Sequence, residues 1–487
     1  MINIPRQVLK NTSALAIARV ARLVSNFLLV FLLARTLSVS GLGVYSTVLS
    51  YYGLVTILVA VGVQGFLTRE IARDLSRTNR YMVHAGLITA VACLVVAVVF
   101  SLFFSQLGYS LETMQGFLIV NLALIPVTWM AIYESVFIAH HKAEYVSYTV
   151  IISLVGRISV SLYMLLNGYG VLSLLATMVV FSYFSFAIQT YFLVRHIGTP
   201  HWEFEFSFAV QMLKELRTFT AMGFLASVFA EIEILLLSFL QGEEAVGVYS
   251  AASKLIVMWF IIPDSYMRAV FPLMSQAHVD SPESFHSAAE RSVKYLQALA
   301  LPLAVGVAIT ADKIIYLIYG PDFGASIPVL RWLALLLVPI YLNEVLWRVL
   351  VARDEQHLGL RAQIAGVISK GGVSLLAVPY ISYMGTVLAM YATQIVYTGI
   401  HIFYVQRGGK PIRILHLVWR FALAAASMGV LTWLLATRFS LFIVVPLAIA
   451  FYGLLVILFK AFSSEDLALL RRLVRRREVT STSPSQL

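Results

Sequence analysis

The chain has 487 residues and a formal net charge of +11, and 60% of its residues are hydrophobic whereas only 12% are charged. Soluble globular proteins are about 45–50% apolar and about 25% charged, so this composition excludes a soluble protein and predicts an all-α polytopic membrane protein. The only cysteine, Cys93, excludes an intramolecular disulfide and a cysteine metal cluster.

Apolar runs separated by charged or Gly/Pro-containing breaks predict about fourteen transmembrane helices, because a bilayer core needs about 20 apolar residues per helix. In chain order, their predicted starts lie near residues 12, 42, 82, 116, 147, 171, 216, 244, 291, 327, 360, 385, 416 and 441. The length of these runs excludes a β-barrel. The first run contains Arg19 and Arg22 and is too long for a signal peptide, so it is predicted to be an uncleaved span.

The basic residues of the predicted loops are concentrated on one side of the membrane. That side receives Arg6 and Lys10; Arg69, Arg73, Arg77 and Arg80; Lys142; Arg195, Lys214 and Arg217; Arg291 and Lys294; Arg353 and Arg361; Arg407, Lys410 and Arg413; and the C-terminal tail. The other side has almost only Arg35, Lys313 and Arg438. Because Lys and Arg concentrate in cytoplasmic loops, the pattern predicts that both termini lie in the cytoplasm. The basic tail is predicted to contact anionic membrane lipids and not nucleic acid.

The tetrapeptide Gly-Val-Tyr-Ser occurs twice, at residues 43–46 and 247–250, near the starts of the second and eighth predicted spans. Its two tyrosines are 249 − 45 = 204 residues apart, a displacement of six spans, so the repeats have the same orientation. Such repeats predict a pseudo-twofold axis along the membrane normal and two six-helix lobes that face each other across a central cavity. The predicted organisation is an N-terminal lobe (1–198), a C-terminal lobe (199–410), two further helices (411–462) and a basic cytoplasmic tail (463–487).

Five short segments distributed over the chain carry a family resemblance. They are Arg19–Ser46, Gly62–Phe66, Arg69–Ala72, Phe271–Ser275 and Tyr319–Phe323. Together they resemble the polysaccharide transporters, the O-antigen-type oligosaccharide flippases of the MATE-like multidrug/oligosaccharidyl-lipid/polysaccharide superfamily. The resemblance covers the whole chain, including the two C-terminal helices.

The resemblance implies lobes that alternate between inward-open and outward-open states and move a polyprenyl-diphosphate-linked oligosaccharide from the inner to the outer leaflet. The export of a surface polysaccharide such as the O-antigen of lipopolysaccharide would follow, with H+ or Na+ as a coupling ion and polysaccharide-assembly proteins as further partners. Relatives that flip the peptidoglycan lipid precursor have a first-helix arginine that matches Arg19. Their second arginine falls at Ser25 in this chain, so an identical substrate is not implied.

Charged side chains near the bilayer centre cost roughly 2.5–3.5 kcal/mol on insertion scales, so they are expected to face a wet cavity or to pair with one another. The candidate substrate-binding cations of the central cavity are Arg19, Arg22, Arg157, Lys254 and Lys370, and the candidate ion-coupling or gating group is Glu231. Arg19 and Arg22 share a helix face, where their guanidinium groups suit the oxygens of a diphosphate. The alternatives are snorkelling to the cytoplasmic surface for these two arginines and structural ion pairs for the two lysines.

Two carboxylates in the seventh predicted span need to be distinguished. Glu231 and Glu233 lie about 200° apart on a helix, so only one is expected to face the cavity, and Glu231 is favoured. A static ion pair between Glu231 and Lys254 is the alternative to ion coupling. Two further pairs with i,i+4 spacing are predicted to form local salt bridges: Asp264 with Arg268, and Glu344 with Arg348.

Two other functions remain as alternatives. A cation-coupled multidrug exporter of the same fold would be expected to have acidic residues dominating its cavity, whereas cations dominate here. A membrane glycosyltransferase, polymerase or ligase of the same pathway would be expected to have a long outer loop with catalytic residues. The sequence shows no catalytic triad, nucleotide-binding glycine loop or metal-ligand spacing, so it predicts a transporter without cofactor, metal or enzymatic activity.

Overall fold

The computed structural model describes residues 32–33, 35–60 and 62–463, and this part of the chain contains helices but no strands. The α-helices are α1 (Val39–Ala60), α2 (Val63–Arg73), α3 (Thr78–Ser105), α4 (Leu111–Asn121), α5 (Leu124–Ala139), α6 (Glu144–Leu166), α7 (Val171–His196), α8 (Phe206–Val257), α9 (Ile261–Asp280), α10 (Pro282–Ile309), α11 (Ala311–Ile318), α12 (Ser326–Leu335), α13 (Leu337–Ala352), α14 (Gln356–Ile381), α15 (Tyr383–Arg407), α16 (Ile414–Ala436) and α17 (Leu441–Leu458). Helices satisfy every internal backbone polar group, which is what a chain must do in lipid. The predicted all-α polytopic fold is therefore confirmed.

Twelve stretches within the described residues are long and apolar enough to cross a membrane. One of them, Gly223–Asp280, has 58 residues, whereas about 20 suffice for one crossing, so it accommodates two of the predicted spans. Thirteen of the fourteen predicted spans are thus accounted for. The remaining one starts near residue 12 and lies outside the described residues.

Two glycines interrupt long helical stretches where a left-handed backbone is required. Gly62 has φ +85° and separates α1 from α2, and Gly242 has φ +80° inside α8. Other residues rarely adopt this conformation because their Cβ clashes with the backbone. The break at Gly242 divides α8 into residues 206–241 and residues 243–257, in agreement with the predicted start of a new span near residue 244.

The chain packs into two compact units. The first contains the described residues up to Met258 together with Ile315–Val329 and Leu360–Tyr397, and the second contains Trp259–Ile314, Leu330–Gly359 and the described residues from Thr398 onward. These units are defined by which residues pack together, whereas the predicted lobes are defined by the sequence repeat. The lobe boundaries inferred from the repeat therefore stay a prediction.

In the first unit, α1 and the second part of α8 cross at the glycines of the two repeat copies. A Cβ at Gly43 would overlap the carbonyl oxygen of Glu243, and a Cβ at Gly247 would overlap the carbonyl oxygen of Val39. The contact is reciprocal, because 243 − 39 and 247 − 43 both equal the 204-residue displacement of the repeat. Such reciprocity is the property of a twofold-related contact. It supports the pairing of the two copies that the tetrapeptide predicts.

In the second unit, the two C-terminal helices α16 and α17 pack with α10 around Phe421, Ala424, Leu455 and Val456. Both local salt bridges predicted for this region are confirmed: Arg268 Nε lies 2.8 Å from Asp264, and Arg348 lies 3.0 Å from Glu344. Arg348 also lies 3.7 Å from Asp264 and so connects α13 to α9. These charges stabilise the packing of helices.

Candidate functional site

The predicted site residues divide into those that the structure describes and those that it does not. Arg19 and Arg22 lie outside the described residues. The other four all belong to the first compact unit: Arg157 on α6, Glu231 and Lys254 on α8, and Lys370 on α14. Three sequence-distant helices therefore contribute the candidate site of this unit.

Tyr45, in the first repeat copy, brings two of the predicted cations to one place. The guanidinium of Arg157 lies next to the Tyr45 hydroxyl, and Lys254 Nζ lies 5.1 Å from the centre of the same ring. An ammonium over an aromatic face is stabilised by the ring quadrupole, most strongly where water is excluded. Tyr45 is only 4% exposed, so one neutral side chain holds the two cations together.

Within the part of the chain that the structure describes, neither Arg157 nor Lys254 has a carboxylate within 4.0 Å. The alternative of a static pair between Glu231 and Lys254 is thus not realised at ion-pair distance. Residues 1–31 contain no Asp or Glu, so that part of the sequence offers these cations no carboxylate either. The tyrosine of the first repeat copy therefore lies in a cationic centre, made of Arg157, Tyr45 and Lys254, to which the helix of the second copy contributes the lysine.

Glu231 and Glu233 point in different directions, as their spacing requires. The Glu231 carboxylate faces Ser50 and Gly53 of α1, with Oε1 3.0 Å from the place that a Cβ of residue 53 would occupy. Glu233 points instead toward α14. Gly53 thus provides room for Glu231 beside α1, and a larger residue there would displace the carboxylate.

Lys370 forms the ion pair that the sequence left open as an alternative to substrate binding. Its Nζ lies 2.8 Å from Glu233 Oε2 and donates to the Phe229 carbonyl oxygen at 2.7 Å. Tyr249, in the second repeat copy, donates to the other Glu233 oxygen at 3.1 Å. The Lys370 and Glu233 side chains are only 3% and 12% exposed. Both oxygens of a buried carboxylate are satisfied, which is what makes such a pair tolerable away from water.

Sequence reasoning missed Glu233 and Tyr249. The argument that only one of the two glutamates could face the cavity is sound for a single helix, but it left Glu233 without a partner. A signal was present in the repeat, because Tyr249 is the counterpart of Tyr45 and lies 249 − 233 = 16 residues beyond Glu233 across the Gly242 break. The sequence could not show that this break folds Tyr249 back onto Glu233.

A polar pocket of about 260 Å³ opens beside Arg157, between α5, α6 and α7. Its lining consists of Met130, Glu134, Thr149, Val150, Ser153, Leu154, Arg157, Met178, Phe181, Ser182, Ser185 and Gln189. Gly156 has no side chain to keep the Phe181 ring away from α6, so α6 and α7 approach closely next to Arg157. Ser185 donates to Ser153 at 2.7 Å across the same pair of helices.

The pocket extends from near one end of the helices to their middle. Arg157 lies 157 − 144 = 13 residues from the start of α6, about 20 Å at 1.5 Å per residue. Glu134 lies 139 − 134 = 5 residues from the adjoining end of α5, about 8 Å. This end adjoins the loop with Lys142, on the side that loop charge predicts to be cytoplasmic.

No group of three or more His, Cys, Asp or Glu side chains is arranged to hold a metal ion in the described ranges. The first unit offers charged and hydrogen-bonding side chains to a ligand. Its cations suit an anion, and its hydroxyl and amide groups suit a polar ligand.

Residues 32–328 match a family of proteins described as polysaccharide biosynthesis proteins. This match covers more than half of the chain. The chain belongs to the polysaccharide biosynthesis protein family. The resemblance inferred from the sequence segments is confirmed.

A protein with a named biosynthetic role is similar in sequence. The teichuronic acid biosynthesis protein TuaB of Bacillus subtilis (strain 168) is 25% identical over 199 residues. The match covers 39% of this chain and 40% of TuaB, so it spans about two-fifths of the length of that relative.

Two solved structures place this polysaccharide biosynthesis protein in a known fold. The lipid II flippase MurJ in an inward closed conformation has a TM-score of 0.75 and 15% identity, over 93% of this chain and 99% of MurJ. An inward-facing multidrug resistance MATE family transporter of the MOP superfamily has a TM-score of 0.68 and 15% identity, over 82% of this chain and 98% of the transporter. At these identities the likeness establishes the fold.

Proposed function

We propose that the protein is a flippase that moves a polyprenyl-diphosphate-linked oligosaccharide from the inner to the outer leaflet of the cytoplasmic membrane, for export of a surface polysaccharide. Membership of the polysaccharide biosynthesis family and the fold shared with a lipid II flippase support this proposal. The observation that carries it is the cationic centre of Arg157, Tyr45 and Lys254. Cations kept inside a membrane protein without a carboxylate partner are suited to an anionic cargo.

Alternating access of two lobes, cytoplasmic termini and a basic tail on anionic lipids complete the proposal. In this arrangement the cargo enters from the predicted cytoplasmic side, and the diphosphate meets Arg19, Arg22 and Lys254. Glu231 is proposed as the ion-coupling or gating group, because it is not the carboxylate that pairs with Lys370, yet it lies within electrostatic reach of Glu233, Lys370 and Lys254. Lys370, held by Glu233, is proposed to act on the cargo only if that pair opens.

The decisive experiment measures transbilayer movement of a fluorescent polyprenyl-diphosphate oligosaccharide in liposomes containing the purified protein. Lys254→Gln and Arg22→Ala are each expected to slow this movement about tenfold or more, the loss expected when a charge-assisted hydrogen bond is removed. Lys214→Gln is the matched control, because Lys214 is exposed on the same helix as Lys254. Normal movement by Lys254→Gln would reject the cationic centre as the cargo site.

The multidrug exporter remains the second reading of the same fold. Transport of cationic dyes by the wild type, with no movement of the lipid-linked sugar, would replace the flippase proposal. For the coupling role, Glu231→Gln is expected to abolish the response of transport to an imposed proton or sodium gradient while ungated movement persists. An unchanged response would remove Glu231 from the mechanism.

A further inference from the structure

The pocket beside Arg157 has a lining that resembles neither a lipid channel nor a simple anion site. Its polar members include four hydroxyl groups, one amide, one guanidinium and one carboxylate: Thr149, Ser153, Ser182, Ser185, Gln189, Arg157 and Glu134. The hydroxyl groups of Thr149, Ser182 and Ser185 already donate to carbonyl oxygens of their own helices, so what they still offer a ligand is acceptor capacity. A lipid chain would use none of this capacity and would keep water from the other polar groups, which is costly. The lining therefore favours a polar ligand over a lipid chain.

Gln189 gives an independent indication of such a ligand. Its side chain is only 1% exposed, and among the described residues no donor reaches its Oε1 oxygen. Buried acceptors are nearly always satisfied in folded proteins, so an orphaned one on a pocket wall indicates a missing donor. A ligand hydroxyl supplies that donor.

The size of the pocket limits the ligand to one small unit. Its volume of about 260 Å³ equals roughly nine water molecules at ~30 Å³ each and lies just below the ~300–1,000 Å³ of pockets for drug-sized ligands. A single sugar ring fits this space, whereas a whole oligosaccharide does not.

The charges of the pocket select among sugar rings. Arg157 lies at its deep end, and the neighbouring Tyr45 hydroxyl has fewer acceptor sites than the five N–H donors of the guanidinium group. Glu134, which accepts from Gln64 Nε2 at 3.1 Å, lies near the opposite end. A diphosphate would be repelled by this carboxylate, whereas a ring with one carboxylate and several hydroxyl groups satisfies both ends.

We infer that this pocket binds one carboxylated sugar, of the uronic acid type, within the oligosaccharide cargo. Arg157 binds the sugar carboxylate, and Gln189, the serines and Glu134 bind the ring hydroxyls. The inference rests on the proposed flippase function and adds a specificity for acidic sugars. The diphosphate of the cargo is then bound by the candidate cations other than Arg157.

The test compares two synthetic polyprenyl-diphosphate disaccharides that differ only in whether one hexose carries a carboxylate or a hydroxymethyl group. In liposomes the wild type is expected to move the acidic cargo about tenfold faster at subsaturating concentration. Arg157→Gln is expected to slow the acidic cargo to the rate of the neutral one, and Arg157→Lys to retain part of the preference. Arg195→Gln, an exposed arginine on α7, is expected to keep the full preference.

Gln189→Leu provides a second, charge-independent readout. It removes the amide but leaves Arg157 in place, so both cargoes are expected to slow by a similar factor. Equal wild-type rates for the two cargoes, or an Arg157→Gln variant that slows both alike, would overturn the acidic-sugar pocket. Movement of the cargoes would then still support the flippase function.

Failure of the flippase function is recognised separately. If the wild type moves neither cargo, binding of the two free disaccharides to the detergent-solubilised protein decides the inference. At least tenfold weaker binding of the acidic disaccharide by Arg157→Gln would support the pocket without the transport. No preference of the wild type for the acidic disaccharide would overturn it.

Discussion

Tyr45 and Tyr249 occupy equivalent places in the two repeat copies, yet their hydroxyl groups meet opposite charges. The Tyr45 hydroxyl lies next to Arg157 and its ring lies beneath Lys254, whereas Tyr249 donates to Glu233, which is paired with Lys370. The backbone contact between the copies is nevertheless reciprocal. The repeat thus preserves how the helices pack, while the charges have diverged into a cationic centre and a neutral ion pair.

The largest expected effect comes from breaking the ion pair of the second copy. Lys370→Met leaves Glu233 buried with only the Tyr249 hydroxyl and is expected to lower the free energy of unfolding by about 3–5 kcal/mol. Lys254→Met has no carboxylate to strand and should cost about 1 kcal/mol or less. Thermal unfolding in detergent measures both changes.

A double variant tests the reason for this difference. Glu233→Gln combined with Lys370→Met removes both charges and is expected to recover most of the lost stability. Equal losses of stability for the two single lysine variants would show that the carboxylate partner of Lys370 does not distinguish it from Lys254.

The glycine crossing allows the shared feature of the copies to be tested. Gly43→Ala and Gly247→Ala each place a methyl group against a backbone carbonyl, so each is expected to cost at least about 1–3 kcal/mol, and by similar amounts. Gly399→Ala is the control, because no atom lies within 4 Å of its added Cβ, and it should be neutral or slightly stabilising. Unequal losses at the two crossing glycines, measured by thermal unfolding, would contradict a reciprocal contact.

Removing the two tyrosine hydroxyls sharpens the comparison on a smaller scale. Tyr249→Phe deprives a buried carboxylate of a donor and is expected to destabilise the protein by about 1.5 kcal/mol. Tyr45→Phe should cost less, because Arg157 borders a polar pocket where water replaces the hydroxyl. Thermal unfolding measures both losses. A larger loss for Tyr45→Phe than for Tyr249→Phe would contradict the expectation, because it would make the Tyr45 hydroxyl the more important structural contact.

The smallest effect on stability is expected from protonation of His140, which follows the C-terminal end of α5. Burial, followed by the charges of Lys142 and His141, lowers the pKa of His140, whose Nε2 lies 3.0 Å from Thr78 Oγ1. Because the folded protein favours the neutral imidazole, stability is expected to be constant above the unfolded pKa of about 6.5 and to decline as pH falls below it.

His140→Gln is the variant for this pH test, since it keeps a polar side chain that does not titrate. Its unfolding temperature should depend less on pH between pH 7 and pH 5 than that of the wild type. An identical pH dependence would show that His140 does not contribute. The result bears only on the helix ends and leaves the two buried centres as an independent comparison.

The spans could be predicted from the sequence because lipid imposes one dominant requirement, a run of apolar residues long enough to cross. The break at Gly242 was also predictable as the boundary between two spans. The partners of the interior charges were not. Which glutamate meets Lys370 depends on how α8 and α14 pack, and local sequence spacing contains no information on that packing. The predicted roles of Arg19 and Arg22 lie beyond the described residues and stay predictions.

The repeat was visible as a tetrapeptide, but its sequence did not reveal what its glycines do. Gly43 and Gly247 are ordinary in an apolar helix, and only the three-dimensional contact shows that a side chain at either position would meet a carbonyl oxygen. Likewise, Arg157 could be singled out as a buried charge, whereas the pocket beside it depends on Gly156 and Phe181 from two helices.

The reciprocal crossing of α1 with the second part of α8 bears on how the repeat evolved. A contact in which each copy offers the other the same surface requires only one kind of surface. A half-length ancestral protein with one such glycine-containing helix would have the complete surface needed to pair with a second copy of itself. Fusion of two such genes would preserve this contact, while later substitutions could differ between the two halves. Arg157 in the first half and Glu233 in the second are charges of opposite sign that differ in this way.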